Sequence, residues 1–441
     1  MRAVAVLAVL AFHAFPGVLP GGFVGVDVFF VISGFLISGI ILNDLRSHTF
    51  TFARFYTRRI RRIFPALALI LAGSLVFGWW MLLPAEYREL GGNVSAGAGF
   101  VSNLRLWSES GYFDTAATGK PLLHLWSLGV EEQYYLIWPL FLLLMYRRLR
   151  LIPWMVIAIA LVSFGLNVSL VGHYTSAAFY FPVTRFWELM LGSLLACLDA
   201  ARQSAPHTPA AAGPPVLWAA PNVLANAGAA LLVIALALDY DNHSFPGWWA
   251  LLPAVATTLL VAAGPAAWVN RKCLAHPAVV FVGLISYPLY LWHWPLLTYA
   301  RITLGGTPPA GVRIGLLAAS GVLAWLTYEL LEKKIRGSLS QPRARRTVAV
   351  LAAAMAALGL CGWLVLEARI PARSAAIPEV ASISAAFDDW TYHGDRVIRG
   401  DTPSSVVFFG DSHMQQFLPR IEQVMRDHRS PVHTVVFQTQ A

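Results

Sequence analysis

Three ionisable residues stand nearly alone in the apolar opening of this chain, RAVAVLAVLAFHAFPGVLPGGFVGVDVFFVISGFLISGIIL: Arg2, His13 and Asp27. An imidazole is the side chain best suited to proton transfer near neutral pH, and it also serves as a covalent acceptor. Ionisable groups at membrane depth are expensive and mark functional paths. Others follow downstream. HLWSLGVEEQYYLIWP carries His124, Glu131 and Glu132; FYFPVTRFWELMLG carries Arg185 and Glu188; ISYPLYLWHWPLL carries His293. Arg58, Arg59, Arg61 and Arg62, in FYTRRIRRIFPAL, form two Arg-x-x-Arg pairs. On a helix such a cluster forms a fork suited to phosphate or pyrophosphate. An ordinary positively charged loop beside a membrane accounts for the same charge.

These residues must be positioned by membrane helices. Of the 441 residues, 57% are hydrophobic and only 12% charged, against about 25% charged in a soluble domain. A span needs about 20 apolar residues, and counting such runs gives about eleven candidates. They centre near 3–18, 23–42, 64–83, 122–145, 152–172, 179–198, 221–238, 248–264, 279–299, 312–331 and 347–367, the run at 248–264 being the weakest. The first run has no small-residue cleavage site, so it reads as a span and not as a signal peptide. The net charge of +9 lies mainly in short connections, which argues for membrane orientation and against nucleic-acid binding. Cys197, Cys273 and Cys361 have no metal-like spacing and read as packing residues, with no zinc site and no disulfide framework.

Basic residues alternate between connections. Arg54 to Arg62, then Arg147, Arg148 and Arg150, then Arg271 and Lys272, then Lys333 to Arg346 fall on one side. By the positive-inside rule the N-terminus is cytoplasmic and the C-terminal segment extracytoplasmic, as in a bacterial inner-membrane protein. With a rise of about 1.5 Å per residue, His13 lies about 16 Å beyond Arg2 on the same helix face. The same reckoning places Glu131 two turns deeper than His124 and on its face, with Glu132 rotated about 100° away. His13, Asp27, Glu131, Glu132, Arg185, Glu188 and His293 are thus expected in one layer on the outer side of centre, around an acceptor cavity. His124 reads as structural, Arg185 and Glu188 as a pair at i,i+3, and the Trp and Tyr residues at 290–294 as an interfacial belt.

From Arg369 the chain turns polar. A strand-like run, Ser405–Phe409, ends in Gly410-Asp411-Ser412-His413; a helical pattern and a second strand, Val432–Phe437, follow. Strand, turn and helix open an α/β domain, which Ala441 cuts short. The expected organisation is a membrane domain over 1–338 with about ten spans, a further helix and linker over 339–373, and a partial extracytoplasmic domain over 374–441. The fold class is therefore an all-α polytopic membrane domain followed by the start of an α/β domain.

Taken in order, RAVAVLAVLAFHA, GGFVGVDVFFVISGFLI, FYTRRIRRIFPAL, HLWSLGVEEQYYLIWP, TRFWELMLG and ISYPLYLWHWPL resemble the membrane-bound acyltransferase family 3, in the form carrying an extracytoplasmic SGNH-type domain. The resemblance implies transfer of an acyl group, usually acetyl, from cytoplasmic acyl-CoA to an extracytoplasmic glycan such as lipopolysaccharide O-antigen. It implies catalytic roles for His13, for Glu131 as the group orienting it, and for Ser412 as the SGNH nucleophile. It implies acyl-CoA binding by Arg2, Arg58, Arg59, Arg61 and Arg62. No permanently bound cofactor and no metal are implied. The Gly, Asn and Asp-x-x-His blocks of an SGNH domain are missing from the sequence. Buried His and Glu residues also describe the proton relay of a transporter, the rival reading, though no internal repeat supports it. A non-catalytic anchor is a third reading, which leaves the buried ionisable residues unexplained.

Overall fold

The computed structural model of the chain describes residues 1–109, 119–148, 150–203, 220–240, 244–337, 341–377, 380, 396–398, 405–410 and 434–439. Each of the eleven apolar runs is helical. The helices are α1 (Arg2–Ala14), α2 (Gly25–Arg46), α3 (Phe52–Met81), α4 (Pro84–Ala98), α5 (Ser102–Glu109), α6 (Leu125–Met145), α7 (Ile152–Val171), α8 (Thr175–Tyr180) and α9 (Pro182–Gln203). They continue as α10 (Pro221–Ala237), α11 (Leu251–Ala262), α12 (Pro277–Leu284), α13 (Ser286–Leu304), α14 (Ala310–Thr327), α15 (Lys333–Arg336) and α16 (Gln341–Leu366). Of the eleven spans expected, 6 helices among the described residues are by length and composition alone long and apolar enough to cross a membrane, or 7 if α12 and α13, bent by 64°, form one broken span. Helices α1, α10 and α11 are apolar but too short. Helix α6 has the length, but Glu131, Glu132 and Gln133 lower its hydropathy. The chain is a multi-pass membrane protein.

The chain divides into two compact units, Met1–Val76 with Leu90–Leu366, and Phe77–Glu89 with Glu367–Ala441. In the first, α2 is central. It packs on α9 with almost no side chain between the backbones. A Cβ on Gly34 would lie 1.9 Å from the Leu189 carbonyl oxygen, and one on Gly192 1.9 Å from that of Val31. Small residues are how membrane helices approach this closely. Helix α6 joins the pair through hydroxyls. The Tyr134 hydroxyl lies 2.7 Å from Ser193 Oγ, and Trp138 Nε1 donates to Ser38 Oγ at 2.7 Å. These contacts make α2, α6 and α9 run in one sense.

Helix α1 ends because Pro16 cannot continue it. The chain reverses and α1 lies antiparallel on α2, burying Ala5 and Val9 where Gly25 leaves room. Helix α13 lies beside α1 and runs with it, so that Arg301 at its far end donates to the His13 carbonyl at 2.6 Å. One sense for α1 and α13 and the opposite for α2, α6 and α9 is the alternation a serpentine membrane chain requires.

Among the described residues the second unit contains three strands, β1 (Arg396–Ile398), β2 (Ser405–Gly410) and β3 (Thr434–Thr439), in the order β1-β3-β2. Strand β2 pairs with β3 in parallel, from Ser405↔Thr434 to Gly410↔Thr439, and β1 is antiparallel to β3. A parallel pair needs a crossover connection, as an α/β unit has. Ser412 and His413 lie outside the described residues.

Replacing Gly34 or Gly192 with Val forces apart two backbones in contact. Overpacking of this kind costs about 1–3 kcal/mol or more. The expected result is a lower melting temperature of the detergent-purified protein, which differential scanning fluorimetry will show, against little change for Gly39→Val, where nothing lies within 4 Å of the added Cβ.

Candidate active site

His13 occupies the last turn of α1, beside α13. Its Nδ1 is 2.9 Å from Nε2 of His293, and the two rings stack with centroids 5.2 Å apart. His293 is fully buried, and its Nδ1 lies 2.7 Å from the Tyr290 carbonyl oxygen. A carbonyl only accepts, so His293 Nδ1 carries a proton and donates it. In the neutral ring Nε2 is then an acceptor, and His13 Nδ1–H must be its donor. The chain of bonds assigns the tautomer of His13 and leaves its Nε2 lone pair available. This is the protonation state that a general base needs.

That ring lines a cavity of about 660 Å³ together with Asp27, His124, Arg185, Trp294 and Arg301. Trp294 holds the other side of His13 in an edge-on contact, with centroids 4.4 Å apart. The His124 ring lies 5.9 Å from that of His293, and both its nitrogens are buried without a hydrogen-bond partner. Among the described residues no three His, Cys, Asp or Glu side chains converge on a point where a metal would sit.

The opposite wall is a buried ion cluster. Arg185 donates to Asp27 Oδ1 at 2.8 Å across the α2–α9 contact and lies 3.2 Å from Glu188 Oε1. All three residues are 1% exposed or less. Phe30, Trp126, Phe179 and Phe245 ring the guanidinium. Asp27 and Arg185 face the cavity, whereas Glu188 does not line it. Arg185 therefore pairs between helices as well as within its own. A buried pair of this kind is costly to break.

Glu131 is not beside His13. It accepts from Ser33 Oγ at 2.8 Å and from the Tyr135 hydroxyl at 3.2 Å, and with Arg2 it lines a second, smaller cavity of about 50 Å³. Glu132 lies within Coulombic reach of Arg59 and Arg62. The single layer expected from the sequence thus splits in two. His13, Asp27 and Arg185 line the large cavity, with His293 behind His13, and Glu131 and Glu132 belong to the arginine side. The reason is helical rise: Glu131 stands seven residues, about 10 Å, beyond His124 along α6. The group that orients His13 is His293. Val26 and Tyr290 line both cavities. The Tyr290 hydroxyl is fixed between them, donating to the His124 carbonyl at 2.8 Å and lying 2.8 Å from Ser127 Oγ.

The four arginines of α3 divide likewise. Arg58 is in an ion pair with Asp44, and Arg61 donates to the Ile335 carbonyl at 2.8 Å. Both hold the fold. Arg59 is buried against Phe55, and Arg62 lies within Coulombic reach of Arg2. Tyr290, Ser127 and Arg301 are additions to the site. Tyr290 and Trp294 belong to the cavity wall and not to an interfacial belt: Trp294 is 4% exposed and donates from Nε1 to the Lys120 carbonyl. Their spacing from His293, one turn back and one residue on, was the available signal.

Comparison with known proteins decides the family. Residues 1–329 match the acyltransferase domain of acyltransferase family 3. The chain belongs to this family. BcsY of Komagataeibacter xylinus, which bears the name of a membrane-bound transacylase, is 33% identical over 342 residues, covering 76% of this chain and 81% of that protein. The peptidoglycan O-acetyltransferase OatA of Listeria monocytogenes is 31% identical over 351 residues, covering 76% of this chain and 55% of its own. OatA of Staphylococcus aureus is 28% identical over the same share of this chain and 56% of its own length. The chain thus spans about half the length of the O-acetyltransferases it matches. No solved structure matches it.

Two variants separate the walls of the large cavity. Arg185→Met leaves Asp27 and Glu188 buried without a cation, a loss of about 3–5 kcal/mol, read as a fall in melting temperature. His293→Ala removes the acceptor for His13 Nδ1–H and is expected to lower the acyl-transfer kcat about 100-fold with the donor KM little changed. His293→Gln, whose amide oxygen also accepts, is expected to retain more of the rate.

Proposed function

We propose that the chain is an O-acyltransferase that moves an acyl group, most simply acetyl, from acyl-CoA to a hydroxyl of an extracytoplasmic glycan. The observation that carries this reading is the free Nε2 of His13 in a cavity, held in that tautomer by His293 and the Tyr290 carbonyl. The donor approaches from the arginine side, which the alternation of basic loops makes cytoplasmic. Arg2, Arg59 and Arg62 meet the phosphates there, while Arg58 and Arg61 hold the helix that presents them. The pantetheine arm spans the roughly 16 Å of α1 between Arg2 and His13. The acceptor enters the large cavity from the other side.

In the transfer step His13 Nε2 takes the proton of the acceptor hydroxyl while its oxygen attacks the thioester carbonyl. The new C–O bond forms, the C–S bond breaks, and the thiolate leaves with the proton that His13 carried, as free CoA. Glu131, near Arg2 at the narrow cavity, acts on the donor side and not on the imidazole. Asp27 and Arg185 shape the acceptor side. Glu188 holds Arg185 on the acceptor side, and Glu132 faces Arg59 and Arg62 on the donor side.

The names of the Listeria and Staphylococcus relatives point to acetyl as the acyl group and to cell-envelope glycan as the acceptor. Peptidoglycan and lipopolysaccharide O-antigen both belong to that class. The protein sits in the bacterial inner membrane, with the N-terminus cytoplasmic and the C-terminal unit outside. The parallel strands β2 and β3 fit the opening of an SGNH-type domain, in which Ser412 follows β2 and acts as the nucleophile of a later transfer in a complete domain.

His13→Ala is expected to abolish glycan acylation while the protein still inserts and keeps its melting temperature. Mass spectrometry of surface glycans from a deletion strain complemented with either form is the measurement. Full acylation by the variant sinks the reading.

A further inference from the structure

The large cavity holds a positive charge that no carboxylate neutralises among the described residues. Arg301, near the end of α13, lines the cavity. One of its amino groups donates to the His13 carbonyl at 2.6 Å, and the other, Nη1, is buried without a partner. Arg313, near the start of α14, donates to the neighbouring Ala14 carbonyl and stacks its guanidinium on Phe15 at 4.4 Å. Among the described residues no carboxylate pairs with either arginine; Asp27, the nearest acid on the cavity wall, is engaged by Arg185.

Capping the last carbonyls of α1 is one reason for cations here, since a helix C-terminus attracts positive charge. It accounts for the bonded amino group of each arginine; Arg313 Nε and Arg301 Nη1 are both buried without a partner, and of the two residues Arg301 is the one that lines the cavity. It does not account for the second amino group of Arg301, which is buried and unpartnered in a residue that lines the cavity. A buried cation with an unfilled donor is costly unless an anion meets it. A guanidinium is the group best matched to a carboxylate or phosphate.

We propose that the acyl acceptor is an anionic saccharide, and that Arg301 binds its carboxylate or phosphate while His13 takes the proton of its hydroxyl. The donor does not supply the anion, because on the proposed reading the CoA phosphates lie at the other end of α1. His13 and Arg301 flank one indole, that of Trp294, at 4.4 Å from ring centroid to ring centroid and 5.5 Å from guanidinium carbon to ring centroid respectively. The oxyanion and the reacting hydroxyl therefore belong to the same sugar or to adjacent sugars. This deepens the acyltransferase reading and rests on it.

The test uses the full chain in lipid nanodiscs, with three matched oligosaccharides: neutral, uronic-acid-bearing and phosphate-bearing. Binding is followed by tryptophan fluorescence and turnover by acetyl transfer from acetyl-CoA. The wild type is expected to bind and acetylate one charged acceptor with a KM at least about tenfold below that of the neutral one. Which charged arm responds identifies the anion. Arg301→Gln is expected to erase that preference, whatever rate loss it imposes on both acceptors, and Arg301→Lys to restore part of it. Arg313→Gln, which removes the other helix clamp, keeps the preference. Equal use of neutral and charged acceptors by the wild type overturns the inference. So does an equal effect of the two glutamine variants on the preference, which reduces Arg301 to a helix cap. A preference for succinyl-CoA over acetyl-CoA that Arg301→Gln abolishes also overturns it, by placing the anion on the acyl group. Binding of a charged acceptor without any turnover counts instead against the acyltransferase reading.

Discussion

The contact between α2 and α9 is the constraint from which the site follows. At Gly34 and Gly192 the two backbones touch, and a few residues away Asp27 and Arg185 meet in a fully buried ion pair with Glu188 behind them. Each feature requires the other. Charges taken out of water are tolerated only in good geometry with further partners, and close backbone approach fixes that geometry. Once α2 and α9 are joined, the Ser38–Tyr134–Ser193 hydroxyls fix α6 against both, and the antiparallel fit of α1 over Gly25 fixes His13 opposite the ion cluster. The cavity is the space left between these fixed walls.

The imidazole chain has a consequence for how such a site manages protons. In a Ser-His-Asp site a buried carboxylate fixes the tautomer of the base and stabilises its cation. Here the chain from His13 through His293 ends on a backbone carbonyl, which fixes the tautomer without adding a charge. The carboxylates near the cavity are committed elsewhere, Asp27 and Glu188 to Arg185 and Glu131 to Ser33 and Tyr135. A neutral, oriented base beside a cationic Arg301 fits an acceptor that brings its own negative charge.

Much of this was legible in the residues. Every apolar run became a helix, because composition and length specify membrane helices strongly. The shared face of Arg2 and His13 followed from helical period alone, and so did the i,i+3 contact of Arg185 with Glu188. What was not legible were the contacts between helices. Period places Glu188 next to Arg185 but is silent on Asp27, 158 residues away. Nothing in the spacing of His13 and Glu131 says that His293 takes the place expected of the glutamate. Four arginines in a row look alike in sequence, yet Asp44 and the Ile335 carbonyl engage two of them and leave Arg59 and Arg62 turned toward the Arg2 and Glu132 side. Six or seven of the described helices are long and apolar enough to cross by themselves, because an apolar run sets helical conformation without setting how much of the bilayer it crosses.

Tyr290 joins the two halves of the site. Its ring and Val26 form the wall common to the large and small cavities, and its hydroxyl is pinned by Ser127 and the His124 carbonyl. Its own carbonyl terminates the imidazole chain. The residue that separates the arginine side from the histidine side therefore also sets the protonation of His13. The wall between the cavities and the orientation of the base are linked through one residue, because Tyr290 and His293 lie one turn apart on α13.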